Sequence, residues 1–231
     1  MGDHEDLKKS PKLMRSNIIE EYKKDLKLSD FQKEVLIGIL LGDGHLETQN
    51  GGRTYRLKIG HSYLQKDYVD WQYEVFKDWT LTPPKEKEQT VLGIKYRQYY
   101  FSTISHGAFR FYAQQFYRNK KKVLPRLTKK WLSPLVMAVW VMDDGSLKSN
   151  HHRALIINTQ SFSKPELFKL IEILKEKFGI EMALRKQSRK QIEIYQLITK
   201  KGSAEILVKI IAPYMVPSMK YKLGILGNTI A

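Results

Sequence analysis

The chain has 231 residues and a formal net charge of +16, from 40 Lys and Arg against 24 Asp and Glu. That length allows one large domain or two small ones and buries a core without staples, and 42% apolar content with 11% aromatics excludes a disordered chain. With no cysteine there is no disulfide framework and no thiolate metal site, and the excess of bases points to a polyanionic partner.

The N-terminal extension, residues 1–28, begins MGDHEDLKKS and has no apolar signal core. Asp6 stands where a myristoylation signal wants Ser or Thr. The longest apolar run, residues 35–42, is too short to span a bilayer, so the expectation is a soluble intracellular protein with no membrane partner. "KLSDFQKEVLIGILLGDG" then reads as a helix with both ends marked. Ser29 and Gln32 form a capping box, and Gly44 is a left-handed stop. In "RTYRLKI" (53–59), Tyr55, Leu57 and Ile59 alternate with Thr54, Arg56 and Lys58, the period of a strand. An amphipathic helix follows over 65–79. In the strand-like "GIKYRQYYFSTI" (93–104), Lys95 and Arg97 alternate with Tyr96 and Gln98, and a helix follows over 106–117.

A basic linker, 118–132, leads to a second marked helix. Ser133 is its N-cap, Pro134 takes the first helical position, and Gly145 stops it. A further capping box, Ser163 with Glu166, opens a helix whose apolar face is Leu167, Ile171, Leu174 and Phe178. "MALRKQSRKQIEIYQL" (182–197) reads as a hairpin with Arg185, Lys186, Arg189 and Lys190 crowding its turn. A last helix covers 202–215.

One unit is therefore written twice. Asp43 and Asp144 are 101 apart, Lys122 and Lys222 are 100 apart, and "KIGHSYLQKDYV" aligns with "IINTQSFSKPEL" at a separation of 98. The units run 29–117 and 133–224, with a tail at 225–231. Each acid is locally disfavoured. It sits in the last helical turn, where the dipole favours cations, and it follows an aliphatic run that packs in a core. If the two helices pack side by side, with Gly38 and Gly42 allowing close approach, Asp43 and Asp144 come together and repel. A disfavoured choice made twice marks a site. A divalent cation resolves the conflict, and oxygen-only ligands suit Mg²⁺.

"LIGILLGDG" (36–44) and "MAVWVMDDG" (137–145) resemble the two signature helices of the LAGLIDADG homing endonucleases. "WTLTPPKEKE", "NKKKVLP", "VWVMDDGS", "NTQSF" and "MKYKLG" are similar to segments of its single-chain, two-motif branch. The resemblance spans about residues 30–224. It implies an α+β fold of two pseudo-symmetric αββαββα units, a saddle of antiparallel sheets on DNA joined by the two packed signature helices. It implies Mg²⁺ bound by Asp43 and Asp144, with Mn²⁺ or Ca²⁺ as substitutes in binding and the carbonyls of Gly42 and Asp143 as lesser ligands. Lys122 and Lys222 match the assisting basic residues. Asp143 is a rival to Asp144, which is favoured by register. Val139 and Asp143 replace small residues of the motif, which predicts looser helix packing on that side.

The implied activity is hydrolysis of one phosphodiester on each strand of a long asymmetric DNA site, leaving short 3′ overhangs, by a monomer that needs no protein partner. An organelle (mitochondrion or chloroplast) or a prokaryotic cytoplasm fits equally. A two-stranded ribbon fits the DNA major groove, and the candidate contacts are Arg53, Arg56, Lys58, His61, Lys95, Arg97 and Gln98 in the first half. In the second half they are Lys148, Arg153, Arg185, Lys186, Arg189, Lys190, Gln191 and Tyr195. Two other classes stay open: an intron RNA maturase and a catalytically silent DNA-binding regulator. Neither needs both acids.

Overall fold

The computed structural model describes residues 12–91, 93–149, 152–189 and 192–229. The chain falls into two compact units. One takes the described residues up to Gln32 with Leu46–Arg110; the other takes Lys33–His45 with Phe111 onward.

In chain order the elements are α1 (Lys12–Lys24), α2 (Asp30–Leu41), β1 (His45–Glu47), β2 (Arg56–Ser62), α3 (Lys66–Val75), β3 (Lys85–Val91), β4 (Ile94–Ser102), α4 (Arg110–Phe116), β5 (Tyr117–Arg118) and β6 (Lys121–Lys122). Then come α5 (Thr128–Trp131), α6 (Pro134–Asp144), β7 (Gly145–Ser149), β8 (His152–Asn158), α7 (Lys164–Phe178), β9 (Met182–Arg189), β10 (Ile192–Thr199) and α8 (Ser203–Ile211), with 3₁₀ turns over Pro217–Thr229. The two four-stranded antiparallel sheets have the same strand order, β1-β2-β4-β3 and β7-β8-β10-β9. That shared topology is the structural form of the internal repeat. Among the described residues no helix is long and apolar enough to cross a membrane.

In the first unit, Leu57 and Ile59 of β2 and Phe101 of β4 face Tyr68 and Val69 of α3, all buried. Each such side chain contributes roughly 1.5–3 kcal/mol on burial. Helix α1 lies in the stretch read as a bare extension. Its apolar positions are few, and it is tied down by Tyr22, whose hydroxyl donates to the Asp78 carbonyl at 2.6 Å. The capping box at the start of α2 forms from both sides, Gln32 N–H to Ser29 Oγ at 3.1 Å and Ser29 N–H to Gln32 Oε1 at 3.0 Å.

In the second unit, residues 35–41 of α2 and 135–143 of α6 are all buried. A helix that is apolar all round belongs in an interior, and here each supplies the other's cover. Ser133 caps α6 and donates its hydroxyl to Glu34 of α2. The seam is close. A Cβ on Gly38 would stand 2.6 Å from Val139 Cβ, and one on Gly42 would stand 2.5 Å from Asp143 Cβ. The bulkier residues of the second motif therefore do not loosen the packing. Each faces the glycine at its own counterpart position, and the small side chain on one helix makes room for the large one on the other.

Three local expectations are corrected. Gly44 does not take the left-handed conformation expected of it, since it is not among the residues with positive φ; Gly145, at φ −77, is not left-handed either. Glycine is needed there for space, because a Cβ would meet the Ile39 side chain in one case and the Val141 carbonyl at 2.5 Å in the other. The buried stripe of α7 is Leu167, Leu170, Ile173 and Leu174, with Ile171 only half-buried. Arg185 and Lys186 lie in mid-strand, since β9 continues to Arg189.

Candidate functional site

Both acid-ended helices finish in the second unit, and so do Lys122 and Lys222. Asp43 lies two residues past the end of α2 and is exposed; Asp144 ends α6 and is half-buried; Asp143 is buried at 8% exposure. Asp43 donates its backbone N–H to Asp143 Oδ2 at 3.1 Å.

Each helix end has its own lysine. Lys122 lies on the β5–β6 ribbon, whose tight turn puts Asn119 and Lys120 at φ 50 and 63, the left-handed pair that suits a two-residue hairpin. Its Nζ donates to the carbonyls of Gly42 at 2.6 Å and Gly44 at 3.2 Å. Lys222, held between the buried Met219 and Leu223, donates to the carbonyls of Met142 and of Asp143, the latter at 2.7 Å. Lysine at the negative end of a helix dipole satisfies carbonyls that the helix leaves over. The two halves repeat this arrangement 100 residues apart.

The electrostatics are those of a crowded anionic centre. Burial first, then the charges of Asp43 and Asp143, push Asp144 up to about 8, against the pull of Lys122 and Lys222. Burial holds both lysines below their ordinary value, although the three aspartates oppose it. The available donors are carboxylate and carbonyl oxygens. That set fits a hard divalent ion such as Mg²⁺, which keeps several of its own waters and needs only one or two protein carboxylates. No cluster of three or more His, Asp or Glu side chains in metal-binding geometry occurs among the described residues. The carbonyls of Gly42 and Asp143, candidate ligands by motif, each already accept from a lysine. A carbonyl has a second lone pair, so acceptance does not disqualify them.

The sheets separate the candidate DNA contacts by face. In the first unit Tyr99 and Phe101 of β4 point at α3: the Tyr99 hydroxyl donates to Asp70 at 3.0 Å, and Tyr73 stacks edge-on against Phe101. By alternation Lys95 and Arg97 share that helix side. Arg97 pairs with Glu86 at 2.6 Å and lies 4.0 Å from the Tyr63 ring. His61 is there too, buried against Tyr68. Lys95, Arg97 and His61 thus lie on the helix side of the first sheet, opposite Arg56 and Lys58.

The opposite face carries Arg56, Lys58 and Gln98. It also carries Lys85, Lys87, Gln89, Tyr96 and Tyr100, which register places beside them. Gln89 donates to Gln98 at 2.8 Å, and Arg56 and Lys58 share Glu47. Arg53 is exposed in the loop before β2, with Nε 3.3 Å from the Asn50 carbonyl.

The second sheet divides likewise. Tyr195 lies under Lys164 of α7 and donates to Glu193, which also holds Lys186; Arg153 reaches Glu205 of α8 at 3.9 Å. These three, Tyr195, Lys186 and Arg153, occupy the helix side of the second sheet. The other face carries Arg185, Gln187, Asn158 and Gln196, with Gln196 donating to Asn158 at 2.6 Å. Lys148 is exposed at the irregularity in β7. Arg189 ends β9, and Lys190 and Gln191 lie outside the described residues.

Comparison with known proteins adds a lineage to this geometry. The chain is 32% identical over 215 residues to the "Probable intron-encoded endonuclease 1" of Wickerhamomyces canadensis, covering 90% of each. It is 30% identical over 213 residues to the DNA endonuclease I-ChuI of Chlamydomonas applanata, covering 86% of this chain and 97% of that one. It is also 30% identical over 200 residues to the cytochrome b mRNA maturase bI2 of Saccharomyces cerevisiae, covering 82% of this chain and 46% of that protein. Among solved structures, the homing endonuclease I-WcaI bound to its DNA recognition sequence superposes with a TM-score of 0.86 at 27% identity, covering 96% of this chain and 98% of the other. The LAGLIDADG DNA endonuclease family model matches residues 33–207, a span that takes in α2 from its fourth residue, all of α6 and both sheets, and the chain belongs to that family.

Proposed function

We propose that the protein is a site-specific DNA endonuclease of the homing type. It hydrolyses one phosphodiester on each strand of a long asymmetric duplex with Mg²⁺ and leaves short 3′ overhangs. The observation that carries this reading is the doubled helix end: two carboxylates, Asp43 and Asp144, in one compact unit, each beside its own lysine.

Asp43 and Asp144 are the residues that would hold the ion, with the carbonyls of Gly42 and Asp143 as further oxygen donors and with Mn²⁺ or Ca²⁺ substituting in binding. The bound ion supplies charge neutralisation at phosphorus and activates water. Asp144 gives up its proton to become a ligand, which makes the affinity pH-dependent. Lys122 and Lys222, aimed by the helix-end carbonyls, stabilise charge that develops on the phosphate or order the attacking water. The amide-and-base faces of the two sheets read the duplex, and the excess of bases adds phosphate contacts. Because both acids come from one chain, a monomer suffices and no protein partner is required.

The test uses a pool of randomised duplexes enriched for binding in Ca²⁺. Transfer of the enriched duplex to Mg²⁺ is expected to give staggered double-strand cuts, with none in EDTA. A duplex that is bound specifically yet stays intact in both Mg²⁺ and Mn²⁺ would overturn the reading. Identity with a named mRNA maturase supports a second reading, assistance in intron RNA splicing. That activity would survive Asp43→Asn.

A further inference from the structure

We infer that the side-chain carboxylate of Asp143 is a positioning group and not a metal ligand: it holds the main chain of Asp43, and among the described residues this contact is made in one half only. The inference rests on the endonuclease reading above.

The contact is set by the end of α2. Gly42 donates its N–H to the Gly38 carbonyl at 3.1 Å, and Gly44 donates to the Ile39 carbonyl at 3.0 Å. Between them the Asp43 N–H turns out of the helix and donates to Asp143 Oδ2 on α6. A hydrogen bond to a carboxylate is about twice as strong as one between neutral groups. It fixes the backbone from which the Asp43 side chain leaves, while that side chain is itself exposed. The carboxylate of Asp143 is buried and lies where only glycine leaves room, since a Cβ on Gly42 would stand 2.5 Å from Asp143 Oδ2. Its position is thus decided by the seam between the helices.

The repeat makes the asymmetry plain. The counterpart of Asp143 in the first motif is Gly42, 101 residues earlier. Glycine has no side chain with which to return the contact to Asp144. Asp43 is therefore set by a neighbour's carboxylate, whereas Asp144 is set by its own place in the last turn of α6. A displacement of about 1 Å in a reacting group costs on the order of a hundredfold in rate. The half that depends on Asp43 is accordingly the one that Asp143 controls.

The experiment is cleavage of a supercoiled plasmid carrying one site enriched as above, with each strand labelled, by the wild type, Asp143→Asn and Asp143→Ala. The amide oxygen of asparagine accepts the same N–H, so Asp143→Asn, whatever its overall rate, is expected to cut the two strands in the wild-type ratio, without accumulation of nicked circle. Asp143→Ala is expected to slow one strand by about ten- to a hundredfold, so that nicked circle accumulates. In EDTA, without any cleavage, the Asp43 amide proton resonance is expected to move upfield in Asp143→Ala and much less in Asp143→Asn. Loss of all cleavage in Asp143→Asn with DNA binding intact would make Asp143 a ligand and overturn the inference. Equal slowing of both strands in Asp143→Ala would overturn it as well, and so would an unmoved amide resonance. If the alanine variant fails to fold, the asparagine arm decides alone. A wild type that cuts nothing defeats the endonuclease reading, while the amide resonance still tests the contact.

Discussion

Helix α2 brings Gly38 and Gly42 to the seam at which α6 brings Val139 and Asp143. The two helices hold matching places in a repeat, and a symmetric ancestor would put small residues on both. Here one helix carries glycine and the other carries the larger side chain that fills the space beside it. Complementarity of the pair, and not smallness of each member, lets the backbones approach. Divergence of one member is tolerated as long as the other stays glycine. The same exchange leaves the two carboxylate ends alike in charge and unlike in support.

The strongest way to break the comparison is to remove one acid at a time. Asp43→Asn and Asp144→Asn should each lower double-strand cleavage in Mg²⁺ by about a thousandfold or more, several kcal/mol of lost charge stabilisation, while gel-shift binding holds. Full activity in either variant would show that the two helix ends are not equivalent in chemistry.

A smaller effect tests the seam itself. Gly38→Val should destabilise by about 1–3 kcal/mol through overpacking against Val139. Exchange of the pair, Gly38→Val with Val139→Gly, should recover part of that loss, with a coupling of about 1 kcal/mol in urea unfolding. Additive effects would mean that the two positions do not share one space.

The pH dependence of stability in EDTA sharpens the electrostatic side. Folded Asp144 keeps its proton up to about pH 8, whereas the unfolded chain releases it near 3.9. Between those values the folded state binds the extra proton, so stability should fall as pH rises, by no more than about 1.4 kcal/mol per pH unit, and level off above 8. Asp144→Asn should flatten that slope. Lys122 and Lys222 act in the opposite sense at alkaline pH, because the folded state releases their protons before the unfolded chain does.

The smallest contrast separates the faces of the first sheet. Lys58→Ala should weaken duplex binding and lower the slope of log K against log salt by about 0.9 if it meets one phosphate. Arg97→Ala should leave binding unchanged and change stability little, because its ion pair is exposed. The reverse result would overturn the assignment of faces.

The helices were legible in the sequence because several signals agreed at each. An aliphatic run, a serine cap and an Asp-Gly end all mark α2 and α6. The strands were legible as strands but not as faces. In β4 both alternating sets are polar or aromatic, Lys95 and Arg97 in one, Tyr96 and Gln98 in the other, so period two gives no inward direction. The direction comes from Tyr99 and Phe101 at the far end, once register with β2 is known. Tyr195 misleads for the same reason, since an aromatic with a hydroxyl suits either side of a sheet. That Lys85, Lys87 and Gln89 share one face was not legible, because "KEKEQ" alternates charge without an apolar side until pairing puts its lysines and its glutamine on one face and its glutamates on the other.

Both sheets carry a cross-strand amide pair, Gln89 with Gln98 and Asn158 with Gln196. In each pair one partner's oxygen is committed to the other's NH₂, which fixes which donors and acceptors remain outward. Replacing a single member leaves its partner to reorient, so the change at one position alters the hydrogen-bonding pattern offered by two. A combinatorial library meant to redirect such a surface to a new base sequence therefore has to vary both members together. One-at-a-time scanning would score each as a lone letter, when the unit of the alphabet is the pair.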